Sequence, residues 1–244
     1  MNKQIGIDIS GVTKRFGDVV ALDNVSMHFN PATLYGVIGP AGAGKTTLFR
    51  LMLELMRPNK GKITYYENGR VIDFADARES VAYMPQSQSL YADLSVDEHL
   101  DFFRRLYGIP DAEYKKKKAE LLHMARLDKF LDRTAGNLSG GMYKKLGLIC
   151  ALLRSPRVML LDEPTNGVDP ISRREFWDLL HAAQQQGILV IMTTAYMDEA
   201  ERCGEVVLME RGHVLGTGEP KELLRASRAA NFDEYFLKRG GDAK

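Results

Sequence analysis

The chain has 244 residues, 45% hydrophobic and 27% charged, with a formal net charge of +1. That suits one large domain, or a core domain with an inserted subdomain. The charge balance gives no general attraction to nucleic acid or anionic membrane, and no apolar run approaches the roughly 20 residues that cross a bilayer.

The N-terminus, MNKQIGIDIS, lacks the apolar core of a signal peptide. Strands come first. Ile5, Ile7 and Ile9 alternate with Gly6 and Asp8, and Val25, Met27 and Phe29 alternate with polar neighbours. LYGVI, Leu34 to Ile38, reads as a buried strand. The nine residues after it are Gly39, Pro40, Ala41, Gly42, Ala43, Gly44, Lys45, Thr46 and Thr47, which fit G-x-x-x-x-G-K-[ST] in full. An amphipathic helix follows, with Leu48, Leu51, Met52 and Leu55 on one face and Pro58 as its end. Asn68-Gly69, between two β-rich arms, predicts a tight hairpin, because a type I′ turn needs positive φ at both central positions.

From Ser95 to about Leu153 the sequence turns helical, with a stop at Gly108 and Pro110, which predicts an inserted helical subdomain of roughly 60 residues. Its run Lys115 to Lys118 reads as a solvated helix face. Alternation of strand and helix then returns. VMLL is a short buried strand, and a helix from Ile171 places Phe176, Leu179, Leu180 and Ala183 on one face, with Gly187 as its stop. Trp177 on this helix reads as packing or helix surface. Ile188 to Met192 is another buried strand, which leads through Thr193, Thr194 and Ala195 into an acidic helix start. A last hairpin turns at Arg211-Gly212. Cys150 and Cys203 stand in apolar stretches without CxxC spacing, so buried free thiols are expected, with no disulfide, no structural zinc and a cytosolic location. The five histidines fall outside every motif.

The chemistry concentrates in two places. Glycines 39, 42 and 44 let the backbone curl so that several N–H groups meet one phosphate chain, at the positive end of the helix that follows. Lys45 supplies a point charge between β- and γ-phosphate, and the Thr46 hydroxyl is placed for Mg²⁺. At the end of VMLL stand Asp162, a Mg²⁺ ligand directly or through water, and Glu163, able to polarise an attacking water.

NLSGGM, Asn137 to Met142, resembles the signature loop of ATP-binding-cassette (ABC) ATPases, and the resemblance spans almost the whole chain. It implies an α/β fold: a P-loop NTPase core with an antiparallel β-subdomain and an inserted helical subdomain. The single nucleotide-binding domain, 1–244, would divide into 1–86 (β-subdomain and P-loop part), 87–155 (helical subdomain), 156–228 (rest of the core) and 229–244 (tail). Phe16 takes the place of the aromatic ring that stacks on adenine. YMPQ supplies Gln86, which in the family reaches the metal and the attacking water. NGVDP, Asn166 to Pro170 with Asp169, resembles the loop that crosses to the partner subunit. In the implied head-to-tail dimer, homodimeric or with a paired cassette, Ser139, Gly140 and Gly141 cap the γ-phosphate of ATP held by the other subunit. A membrane permease, touched near Gln86 to Leu94, would be a separate subunit, and the chain would sit on the cytoplasmic face of the membrane. The tail FDEYFLKRGG and Met142 resemble the drug-exporter-type subgroup, and MPQ, LSGGM and GVDPISRRE resemble the first cassette of tandem-cassette exporters. Alternatives are a soluble member acting on ribosomes or DNA, or a nucleotide switch that scarcely hydrolyses.

One position departs from the pattern. The family's strand ending in TT continues with histidine, then an aromatic residue and an acidic helix start; Thr193, Thr194, Tyr196, Glu199 and Ala200 keep that frame, and Ala195 takes the histidine's place. The residue is engineered, or natural in a cassette paired with a competent one, or compensated by another side chain.

Overall fold

The computed structural model describes residues 4–87 and 89–240. Met1 to Lys3 of the N-terminal stretch and the end of the tail from Gly241 lie outside the described residues.

Two sheets carry the fold. The first is antiparallel, in the order β2-β1-β4-β5: β1 is Ile5–Phe16, β2 Val19–Phe29, β4 Lys60–Glu67 and β5 Arg70–Ile72. Asn68 and Gly69 have φ of 50° and 81°, as the type I′ turn requires. The second sheet is ordered β10-β9-β3-β8-β7-β6: β3 is Leu34–Ile38, β6 Val81–Met84, β7 Val158–Asp162, β8 Leu189–Thr194, β9 Glu205–Glu210 and β10 His213–Gly218. Within it β6, β7, β8, β3 and β9 run parallel, and only β10 is antiparallel.

The central parallel strands are apolar along most of their length because both faces are covered, with polar residues such as Asp162, Thr193 and Thr194 at their ends. Val158 and Leu160 of β7 and Leu189 and Ile191 of β8 enter the core shared with the antiparallel sheet. Their neighbours Met159, Leu161, Val190 and Met192 enter the core on the helical side. Period-2 alternation thus feeds two cores from one strand.

The helices are α1 (Lys45–Met52), α2 (Phe74–Ala77), α3 (Val96–Tyr107), α4 (Asp111–Ala125), α5 (Gly140–Leu152), α6 (Pro170–Gln185), α7 (Pro220–Ser227) and α8 (Phe232–Gly240). Ser95 caps α3 in a full capping box with Glu98, and Gly108 closes it in the left-handed conformation. Helix α5 is buried nearly all round, which suits a central helix rather than a single-stripe surface one. Phe232 and Tyr235 of α8 join the helical-side core.

Three expectations need correction. Helix α1 stops at Met52, so Leu55 is not on its face and is 67% exposed. Glu54 takes φ of 51°, and the N–H groups of Glu54 and Leu55 bond the carbonyls of Leu51 and Arg50, a Schellman stop built without glycine. The lysine run is not one solvated face, because consecutive helical positions point about 100° apart. Lys115 and Lys116 are exposed, whereas Lys117 bonds Ser155 and Lys118 pairs with Asp97. The segment after Ala195 is a 3₁₀ turn, Met197–Arg202, not an α-helix.

His99 on α3 is fully buried and shapes the loop before it. Nδ1 lies 2.9 Å from the Ser95 carbonyl oxygen, and Nε2 lies 3.0 Å from the Tyr91 backbone N–H. Only a neutral ring with its proton on Nδ1 satisfies both. Burial holds its pKa below the usual value, against the opposing pull of the Ser95 and Leu94 backbone and the Glu98 charge. With the folded pKa below the unfolded one, the unfolded chain takes up the proton first as pH falls. The stabilisation is therefore full above about pH 6.5 and shrinks as pH drops towards the folded pKa. Between about pH 7.5 and about pH 5.5 the fall in melting temperature is expected to be smaller in His99→Gln than in the parent. Equal falls would show that His99 is not the source.

Candidate functional site

The parallel strands all end at one edge, where an open α/β sheet places its ligand site. Strand β3 ends in the glycine-rich loop, β7 in Asp162 and Glu163, β8 in Thr193 and Thr194, and β6 two residues before Gln86. A cleft of about 310 Å³ is lined there by Val19 to Ala21, Ala41 to Thr47, Gln86 and Glu163.

The loop is shaped by what surrounds it. Gly44 has φ of 101°, and a Cβ there would lie 2.6 Å from the Ala21 carbonyl oxygen, so only glycine fits. The Gly39 N–H donates to the Thr194 carbonyl at 3.2 Å, tying the loop to β8. Gly212, in the turn between β9 and β10, donates its N–H to the Ala43 carbonyl (3.1 Å) and accepts from the Asp23 N–H (2.9 Å). Lys45 opens α1 and is buried. Its ammonium donates to the carbonyls of Gly39 (2.8 Å) and Pro40 (3.0 Å) and lies 3.3 Å from Glu163 Oε1.

Both acids are held by one hydroxyl. Thr193 pairs with Asp162 across β7 and β8; its Oγ1 donates to Asp162 Oδ1 at 2.6 Å and accepts from the Glu163 N–H at 2.9 Å. Glu163 leaves the strand line at φ of 46°, a left-handed conformation that costs a non-glycine residue on the order of 1 kcal/mol. Its Oε2 accepts from the Gln86 amide at 2.7 Å and the Asn166 amide at 3.4 Å. Asp162 Oδ2 is buried and has no hydrogen-bond partner among the described residues. Tyr83 faces the same carboxylate; burial first, then the Asp162 charge, push its phenol up to about 12. A buried, unpartnered carboxylate oxygen, with a hydroxyl at Thr46 and an amide oxygen at Gln86 in the cleft lining, is chemically the hard-oxygen donor set that Mg²⁺ takes.

The remaining expected residues lie outside the cleft lining. Phe16 is exposed at the end of β1, with the Lys14 ammonium 5.1 Å from its ring centre. Ser139 caps α5 by accepting from the Met142 N–H, and Gly140 beside it is exposed. Gly141 is buried against α6, where an added Cβ would lie 2.2 Å from Ser172 Cβ. Asp169 caps α6 through the N–H groups of Ile171 and Ser172, and the Ser172 bonds hold its carboxyl below the usual range. Ala195 is exposed.

Several residues of the site were not singled out from sequence. Thr193, read from sequence only as part of the frame around Ala195, fixes both acids, and its register opposite Asp162 was the missing signal. Val19, Val20 and Ala21 line the cleft from β2. Lys144 donates to the Gln86 carbonyl at 3.2 Å, and burial holds its ammonium below the usual value against the pull of Asp162 and Glu163.

Residues 22–166 match the family described as ABC transporter. The chain is 40% identical, over 93% of its length, to the probable multidrug ABC transporter ATP-binding protein YbhF of Escherichia coli K12, of which it spans 39%. It is 35% identical, over 96% of its length, to Nod factor export ATP-binding protein I of Rhizobium sp. strain N33, spanning 77% of that protein. A solved ATP binding subunit of an ABC transporter superposes with a TM-score of 0.82 at 28% identity, over 96% of this chain and 99% of that one. With the phosphate loop and the paired acids on one strand-end edge, the signature segment at the start of α5, and relatives matched over nearly all of this chain, the chain belongs to the ABC transporter family as one of its ATP-binding cassettes.

Proposed function

We propose that this cassette is the ATP-driven subunit of an exporter: it binds Mg·ATP, pairs head to tail with a second cassette, and works a separate membrane permease. One observation carries this most directly. Lys45 and Glu163 meet in the cleft, with the buried, unpartnered Asp162 oxygen one residue before Glu163, while the capped, exposed N-terminus of α5 at Ser139 and Gly140 takes no part in lining it. A helix N-terminus with free N–H groups suits an anion, and a second copy can bring one.

In this reading the backbone of Gly39 to Thr47 wraps the phosphates, and the Lys45 ammonium exchanges Glu163 for phosphate oxygens. Glu163, released from Lys45 but still held by Gln86 and Asn166, takes the proton from the attacking water. Asp162, Thr46 and Gln86 would hold Mg²⁺, which supplies positive charge against the β- and γ-phosphate oxygens. Phe16 offers its exposed ring to adenine. Ser139, Gly140 and Gly141 meet the γ-phosphate of the partner's ATP, and Asp169 holds the crossing loop in shape.

In this proposal the permease contact lies near Gln86 to Leu94, of which Gln88 lies outside the described residues. Tyr91 and, on α3, Phe102 and Leu106 are exposed apolar side chains in this region, and Tyr143 of α5 accepts the Leu90 N–H at 2.7 Å. Among the described residues no helix is long and apolar enough to cross a membrane; in this proposal the span is assigned to a separate permease. The location follows: peripheral, on the cytoplasmic face. Drug-like cargo is proposed by analogy with the multidrug relative.

Sedimentation tests the pairing. The Glu163→Gln chain is expected to be monomeric alone and dimeric with Mg·ATP, and Gly140→Asp to keep nucleotide binding while losing the dimer. A chain that stays monomeric at saturating Mg·ATP overturns the head-to-tail reading. Co-purification from native membrane then identifies the permease.

A further inference from the structure

We propose that Tyr196 is a positioning residue for Glu163, acting through Asn166, and that it supports the water-activating carboxylate in a chain whose neighbouring position, Ala195, offers no polar group. The proposal rests on Glu163 being the base.

The anchor is a buried carboxylate outside the nucleotide cleft. Glu199 is fully buried, in the 3₁₀ turn after β8. Its Oε1 accepts from Arg173 Nε at 2.7 Å and Trp177 Nε1 at 3.2 Å, and its Oε2 accepts from Thr165 Oγ1 at 3.1 Å. Three donors from two elements satisfy it, so this charge is fixed rather than merely tolerated. It joins the loop after β7, the start of α6 and the turn after β8. This is also where Trp177 belongs: it is a hydrogen-bond donor to the network as well as packing.

Arg173 carries the constraint outward. Its guanidinium, also bonded to Asp198 at 3.0 Å, lies 4.5 Å from the Tyr196 ring centre. Such a stack fixes the ring and leaves its edge free. The Tyr196 hydroxyl donates to Asn166 Oδ1 at 3.2 Å, and Asn166 Nδ2 donates to Glu163 Oε2 at 3.4 Å. This amide orientation is the one that works: flipped, Asn166 would set its oxygen against the carboxylate. The carboxylate, which only accepts, sets which end of Asn166 faces it, and the Tyr196 hydroxyl, donating to Oδ1, holds the amide in that place. Ala195 is exposed and brings only a methyl group.

The test is single-turnover hydrolysis of Mg·ATP by the full chain, with ATP affinity measured separately. Tyr196→Phe keeps the stacked ring and removes only the hydroxyl. It is expected to lower the rate about fivefold with affinity unchanged, and Asn166→Ala to do the same. The double variant should be no slower than either single one, because both cut one path. In an Ala195→His background the Tyr196→Phe loss should shrink to less than about twofold, which a general loss of folding would not produce. An unchanged rate in Tyr196→Phe, losses that multiply, or a loss of affinity alone overturns the proposal. So does a parent that is inert while Ala195→His hydrolyses ATP. If neither hydrolyses ATP, the ATPase reading itself fails.

Discussion

Glu163→Gln is expected to slow steady-state ATP turnover by about 10²–10⁴ while ATP binding survives or strengthens. Glutamine keeps a carbonyl oxygen for the Gln86 and Asn166 amides, so the loop after β7 should hold its shape. It cannot take a proton, and it cannot pair with Lys45. In the parent, Glu163 Oε1 sits 3.3 Å from the Lys45 ammonium and competes with phosphate for it. Removing that competitor frees Lys45, so the dissociation constant for ATP should be equal or lower. Turnover and equilibrium nucleotide binding, measured together, check both halves. Equal turnover in parent and variant would remove Glu163 as the base.

Ala195→His is expected to do the opposite, raising turnover by about 10²–10³ at unchanged ATP affinity. The residue before it, Thr194, accepts the Gly39 N–H through its backbone carbonyl, which sets position 195 beside the mouth of the phosphate loop. Thr194 Oγ1 also accepts the Tyr196 N–H at 3.0 Å, so the turn that aims position 195 is already built. An imidazole there would add a hydrogen bond made in the transition state, which raises the rate without tightening ground-state binding. A parent that turns over ATP as fast as the variant would sink this account of the alanine. A slow parent fits a cassette that works beside a competent partner.

Much of this fold was legible because its signals are local. A strand buried on both faces announces itself by an unbroken apolar run, as in VMLL, and Asn68-Gly69 names its own turn. The phosphate loop is legible for the same reason, since one short segment supplies the glycines, the lysine and the threonine. What stayed hidden depends on register or on backbone choices that propensity does not fix. Glu54 stops α1 in a conformation usually left to glycine. Thr193 reaches both acids only because β8 lies beside β7 with Asp162 opposite it. Arg173 is ordinary in the sequence, and Tyr196 and Glu199 stand there only as the aromatic and acidic positions of the family's frame. Their network appears only when α6 and the turn after β8 are brought together, some two dozen positions apart along the chain.

The bonds at Gly212 bear on timing. That one glycine, through its N–H to Ala43 and its carbonyl to Asp23, fastens the phosphate loop to the strand pair that ends in Phe16. If Phe16 receives the adenine as proposed, the seats for the two ends of a nucleotide are thereby set at a fixed spacing before any nucleotide arrives. Capture needs little reordering of this cassette and should be quick. Under the proposed pairing, the slow, regulated event is then the meeting of two cassettes, and the rate of the cycle is a property of the pair.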